Sequence, residues 1–235
     1  MLIKLTLIIS KISKVSSPKL KSNPYVIAID GPAGSGKGTV AKLVSQKLNF
    51  HYLDSGAIYR VIAYAALQKN IESQAIDRQV QMVKTLNIKF IEDKILLNTI
   101  NISNLIRAES VSKFTSEIAI HPPIRKSILD FQKSFFKSPG LVAEGRDMAT
   151  IVFPNAKVKI YLNASSKVRI NRRYKQLILK GNGVNIANLT RDIEIRDKRD
   201  KERMVSPLKI AFDAHVLETD NLTIDQTVTK ILQFI

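Results

Sequence analysis

The chain has 235 residues, 45% of them hydrophobic, and a formal net charge of +17 at pH 7. That is enough apolar residue for one principal domain with a full core, and no apolar run is long enough to cross a bilayer. Cysteine is absent, so disulfides, thiolate metal centres and cysteine nucleophiles are excluded and nothing argues for secretion.

Met1 to Ser22 holds five lysines and no acid, leaving a net +12 for the rest. Its apolar stretch Leu5-Thr6-Leu7-Ile8-Ile9 is soon followed by Lys11 and Lys14, and no small-x-small cleavage site follows. We expect residues 1–22 to be an unstructured basic extension and residues 23–235 to be the domain. The apolar run Tyr25-Val26-Ile27-Ala28-Ile29 then reads as a buried strand. It leads into Gly31-Pro32-Ala33-Gly34-Ser35-Gly36-Lys37-Gly38-Thr39, a phosphate-binding loop: glycines let backbone N–H groups close on an oligophosphate, the following helix adds its N-terminal partial charge, and Lys37 adds a full one. Gly38 stands where Ser or Thr is usual and the hydroxyl comes one residue later, at Thr39. That form of the loop resembles the one in nucleoside monophosphate kinases more than those in GTPases or motor ATPases.

Thr39 to Leu48 has helical spacing, and Phe50 to Leu53 reads as a strand ending in Asp54-Ser55-Gly56-Ala57-Ile58-Tyr59-Arg60, which opens a second helix. In an open parallel sheet, strand ends face the ligand crevice, so Ser55 and Arg60 belong beside the loop. From about 84 to 107 the period changes to short alternating strands, predicting a small antiparallel insert with turns at Glu92-Asp93 and Asn98. Helices follow from about Ser110 and from Ile124 to Phe136, with Arg125 in the first turn of the latter. Leu141-Val142-Ala143 is a core strand delivering Glu144-Gly145-Arg146-Asp147, and Val158 to Leu162 is another. Val168 to Lys180 is a basic helix broken by Gly181-Asn182-Gly183. Leu189 to Arg203 is a further helix, His215 to Leu217 a last strand, and Thr223 to Gln226 a capping box for the terminal helix. The alternation predicts an α/β fold of the P-loop kinase kind: a parallel sheet covered by helices on both faces, with the β insert and a short lid over about 170–186.

Two constellations carry charge where apolar residues would be expected. Ile186, Leu189 and Ile193 define a helical stripe whose continuation falls on Arg196, Asp200 and Arg203. Such groups must line a wet cleft, pair with one another, or meet a charged ligand. Arg146 offers a fork suited to phosphate beside the carboxylate of Asp147; by itself the pair could be an ordinary salt bridge, while beside Arg60 and Arg125 it becomes part of a convergent basic pocket.

Together, Gly31 to Thr39, Asp54 to Arg60, Glu144-Gly145-Arg146-Asp147-Met148 and Arg196-Asp197-Lys198-Arg199-Asp200 resemble the bacterial cytidylate kinases from about Asn23 to Ile235. The resemblance implies phosphoryl transfer from ATP to CMP, and to dCMP, with Mg²⁺ accompanying ATP. It implies that Gly31, Pro32, Ala33, Gly34, Ser35, Gly36, Lys37, Gly38 and Thr39 hold ATP, and that Thr39 is a candidate metal contact. Ser55, Arg125, Asp147 and Arg203 would contact cytosine, Arg196 and Asp200 the ribose, and Arg60 and Arg146 the acceptor phosphate. Lys37, Arg146, Arg172 and Arg173 would serve the transfer, the last two from the lid. Glu144 departs from the Asp often found in the family, a change expected to matter little. We expect a cytoplasmic monomer that binds neither nucleic acid nor membrane. The rival readings are a P-loop kinase for another monophosphate or small metabolite, a basic nucleic-acid-binding protein, and an adaptor with an inactive loop.

Overall fold

The computed structural model describes residues 25–91, 94–179 and 185–235. The expected extension at 1–22, the Glu92-Asp93 turn and the Gly181-Asn182-Gly183 break lie outside them. Five parallel strands, β1 (Tyr25–Asp30), β2 (His51–Asp54), β6 (Gly140–Gly145), β7 (Val158–Asn163) and β8 (His215–Glu218), form the central sheet in the order β2-β6-β1-β7-β8. Along β1, Ile27 and Ile29 enter one apolar cluster with Val40, Val44, Val228 and Ile231, while Val26 and Ala28 enter another with Leu53, Ile58 and Ile62. Both faces are therefore buried, and the strand is apolar throughout instead of alternating.

Helices α1 (Lys37–Leu48) and α8 (Ile224–Leu232) supply the first cover. The second is supplied by α2 (Ser55–Gln68), α3 (Ile76–Thr85), α4 (Glu109–Ile118) and α5 (Pro122–Lys133), which bury Ile58, Met82, Ile118 and Ile128 among others. Because all five strands are parallel, β1 runs into the phosphate loop, β2 into Ser55 and β6 into Arg146-Asp147 at one common edge. The topology thus brings together three segments that are far apart in sequence.

The predicted insert is a separate antiparallel sheet of β3 (Ile88–Ile91), β4 (Lys94–Leu97) and β5 (Ile100–Asn101). Asn98 and Thr99 turn the chain with positive φ. Its apolar face, including Ile88, Phe90 and Ile95, packs on Ala57 and Val61 of α2 together with Ile102 and Ile106. Phe90 also meets Phe135 edge-on at 5.3 Å. The insert is thereby fastened to the helix that begins at Ser55.

The segment predicted as the lid, about 170–186, takes in most of α6 (Ser166–Ile178) and reaches the first residue of α7 (Ile186–Glu202). Ile186, expected on the buried stripe, is 53% exposed. It occupies the first position of α7, one turn ahead of Leu189 and Ile193, where burial begins. Three elements were not expected, the shortest being a 3₁₀ turn, Leu105–Arg107. Helix α3 buries the polar Gln79, which donates to the Glu72 carbonyl at 2.6 Å and interrupts the apolar stripe. A single π-turn, Met148–Val152, follows β6. The capping box on α8 forms as expected between Thr223 and Gln226.

Candidate active site

The loop between β1 and α1 ends at Gly36, whose φ of +92° suits glycine and which gives α1 no side-chain cap. Lys37 is buried, donates to the Pro32 carbonyl at 3.2 Å and stands 3.9 Å from a Glu144 carboxylate oxygen. Burial, and then the charge of Arg146, push the Lys37 pKa down to about 7, while burial and then Asp54 push Glu144 up. At 3.9 Å the attraction recovers only part of the desolvation penalty, so the pair is poised for a third charge. A Cβ at Gly38 would lie 3.1 Å from Glu144 Oε1, the end of a flexible side chain. The longer acid on β6 and the bare residue at 38 fit one another, and the exposed Thr39 faces the cleft.

A cleft of about 2580 Å³ runs from this loop across the edge of the sheet. Its wall includes Ser55, Arg60, Arg125, Arg146, Asp147, Arg173, Arg196, Asp200 and Arg203, so the sequence-predicted acceptor residues converge on one space. Ser55, buried at the start of α2, receives a hydrogen bond from Gln132 of α5 at 2.8 Å. Arg125 is ion-paired with Asp147 and lies 5.5 Å from the Tyr59 ring centroid. Arg146 donates through Nε to Asp200 at 2.7 Å. The neighbours Arg146 and Asp147, weighed from sequence as a salt bridge with each other, thus take partners on α7 and α5 instead.

They do not use up the positive charge. Among the described residues, the half-buried Arg60 and Arg196 have no ion-pair partner. Burial and then Arg146 lower the Arg196 pKa to about 10, with Arg60 and Arg173 adding to the repulsion. Near Asp147, Arg125 Nε and Arg203 Nη2 are buried donors without a hydrogen-bond acceptor. Buried donors are rarely left unsatisfied, so both cations and donors call for an anionic ligand bearing acceptors.

Arg172 and Arg173, adjacent in sequence, part company. Arg173 lines the cleft and donates to Gln176 at 2.7 Å. Arg172 turns away from it, donating to the Ser35 carbonyl at 3.1 Å and to the Thr219 carbonyl at 2.6 Å. It thus ties the phosphate loop to the end of β8. Arg169, which sequence reasoning left among generic basic residues, donates to the Ala33 carbonyl at 3.0 Å and forks onto Asp197 at 3.0 and 2.5 Å. No local pattern announces this link, whose partners lie 28 residues apart on different helices. Since Asp197 shares α7 with Arg196 and Asp200, the pair connects the phosphate loop to the acceptor wall. Asp197→Ala leaves a buried guanidinium short of its counter-charge and is expected to lower stability by about 3 kcal/mol in chemical denaturation.

A strand-loop-helix phosphate site facing a second, arginine-lined pocket defines a P-loop phosphotransferase acting on two phosphorylated substrates. The family model "Cytidylate kinase" matches residues 27–235. The curated cytidylate kinase of Burkholderia vietnamiensis is 49% identical over 209 residues, covering 89% of this chain and 92% of its own. That of Polynucleobacter necessarius is 48% identical over 213 residues, covering 91% and 99%. Among solved structures, a shikimate kinase from Acinetobacter baumannii covers 89% of this chain and 92% of its own at 17% identity, with a TM-score of 0.42, too slight a likeness to argue from. The chain belongs to the cytidylate kinase family.

Proposed function

We propose that this protein transfers the terminal phosphoryl group of ATP to the 5′-phosphate of CMP, and of dCMP, giving ADP and the corresponding diphosphate. The observation that carries the reading is the convergence of unpaired Arg60 and Arg196 with the buried donors of Arg125 and Arg203 in one cleft with Lys37. The loop from Gly31 to Thr39 holds the ATP phosphates. Arg60 and Arg146 orient the acceptor phosphate, and Arg196 and Asp200 meet the ribose. The acceptor oxygen is already ionised at neutral pH, so no general base is needed. Catalysis consists of aligning two anions and neutralising the charge on the moving group, to which Lys37, Arg146 and Arg173 contribute, with Arg172 holding the loop.

Cytosine presents an exocyclic amine together with acceptors at N3 and O2. Asp147 accepts from the amine, while Ser55 and the free donors of Arg125 and Arg203 lie on the same wall to meet the acceptors. Uracil reverses the polarity at the amine and N3 positions and leaves Asp147 facing an oxygen.

The donor set also fits a divalent cation brought in with ATP. The Thr39 hydroxyl and the Glu144 carboxylate supply oxygen at the loop, and no cluster of three or more His, Cys, Asp or Glu suited to a metal occurs among the described residues. That is the donor set of an ion such as Mg²⁺, which keeps most of its waters and bridges substrate phosphates. When bound it supplies charge neutralisation at the phosphoryl oxygens. No helix among the described residues is long and apolar enough to cross a membrane. We also propose a monomer acting in the cytoplasm.

ADP release measured separately with CMP, dCMP, UMP and AMP tests the reading, with Lys37→Ala as the control for contaminating activity. Turnover is expected with CMP and dCMP well above the other two. Equal or greater turnover with AMP, or none with CMP, would reject it.

A further inference from the structure

Asp30, the last residue of β1, is 2% exposed and forms no ion pair among the described residues. Its two carboxylate oxygens accept from the backbone N–H groups of Met148 and Ala149 at 2.9 and 2.8 Å. Those are the first two residues of the π-turn Met148–Val152, whose N-cap is Asp147. The Asp147 carbonyl accepts from Ile151 and Val152, yet its side chain makes no capping bond. An aspartate at an N-cap ordinarily folds its carboxylate back onto the free N–H groups of its own turn. Here a second aspartate, from β1, already occupies the Ala149 donor, the second of the turn, together with that of Met148. The Asp147 carboxylate is left to pair with Arg125 at the cleft wall.

We propose that Asp30 is a positioning residue for base recognition: by capping the turn after Asp147 from the neighbouring strand, it keeps the Asp147 carboxylate off its own backbone and turned toward the acceptor base. The inference rests on the reading of Asp147 as the residue that accepts from the cytosine amine. Asp30 is held here at a cost, since burial, opposed in part by the two backbone donors, pushes its pKa up to about 6. The device also links the two substrate sites, because Asp30 directly precedes Gly31 of the ATP loop.

The test is a double-mutant cycle on the ratio of kcat/KM for CMP to that for UMP, using Asp30→Asn, Asp147→Ala and the pair. Asparagine keeps the shape but can satisfy only one of the two N–H groups and sets its own amide against the other. Asp30→Asn is expected to lower the CMP to UMP ratio about tenfold, the size of one displaced hydrogen bond to a charged group, with KM for ATP within about twofold of wild type. In the Asp147→Ala background it should change the ratio no further. If Asp147→Ala alone leaves the ratio intact, the reading of Asp147 fails and the inference falls with it. If Asp147→Ala collapses the ratio while folded Asp30→Asn leaves it unchanged, or the two effects multiply, only the positioning role is overturned. Should the asparagine variant fail to fold, Asp30→Ser carries the same test, and failure of both to fold would make Asp30 a structural residue and overturn the proposal.

Discussion

Lys37→Ala is expected to lower kcat about a thousandfold or more, on the scale of removing a fixed charge from a phosphoryl-transfer site, while leaving the protein no less stable than the wild type. The two halves of this prediction have one cause. Lys37 is buried beside Arg146 with only a 3.9 Å approach to Glu144, and its pKa falls from 10.5 to about 7. A lysine whose folded pKa lies below its unfolded value destabilises the fold most at low pH, and that penalty is withdrawn as pH rises from about 7 toward 10.5. Deleting it removes the penalty along with the charge the reaction needs. Thermal unfolding at pH 6 should therefore place the variant at or above the wild type, and at pH 9 the difference should have shifted in favour of the wild type. Glu144, left without its neighbour, has a raised pKa and can take up a proton at the lower pH.

Asp147→Ala is expected to lower kcat/KM for CMP by about a hundredfold, the loss of a charge-assisted hydrogen bond made in a buried site, and to affect UMP far less. The comparison between bases separates recognition from general damage. Loss of Asp147 also strips Arg125 of its ion pair, and that effect falls on both substrates. Asp147→Asn refines the test, because an amide can turn either its oxygen or its NH₂ to the ligand, and should bring CMP and UMP closer together. Equal losses for the two substrates would remove Asp147 from base recognition.

The parts of the molecule that could be read from sequence are those whose cause is local. Gly31 to Thr39 announces itself because a strand, a turn and a helix start must be contiguous to cradle a phosphate. The insert is visible because period-two alternation over β3 and β4 belongs to those residues alone. The charged continuation of the α7 stripe at Arg196 and Asp200 marked a cleft for a similarly local reason, although Ile186 was wrongly assigned to the buried side. What escaped has its cause elsewhere in the chain. The π-turn Met148–Val152 is capped by Asp30, 118 residues away, and Arg169 acquires its role from Ala33 and Asp197 on other elements. Helix α3 carries no clean apolar stripe because its most buried residue is Gln79, whose amide nitrogen donates to a carbonyl outside the helix.

We propose that the arginine-lined half of the cleft is built for a cytidine monophosphate. It is met most directly by offering limiting ATP to an equimolar mixture of CMP, dCMP, UMP and AMP and separating the nucleoside diphosphates formed. CDP and dCDP should dominate, each exceeding UDP by at least about tenfold and ADP beyond that derived from ATP being undetectable, as expected when one partner leaves buried polar groups unmatched. Diphosphates formed in equal amounts, or a product dominated by UDP, would contradict it.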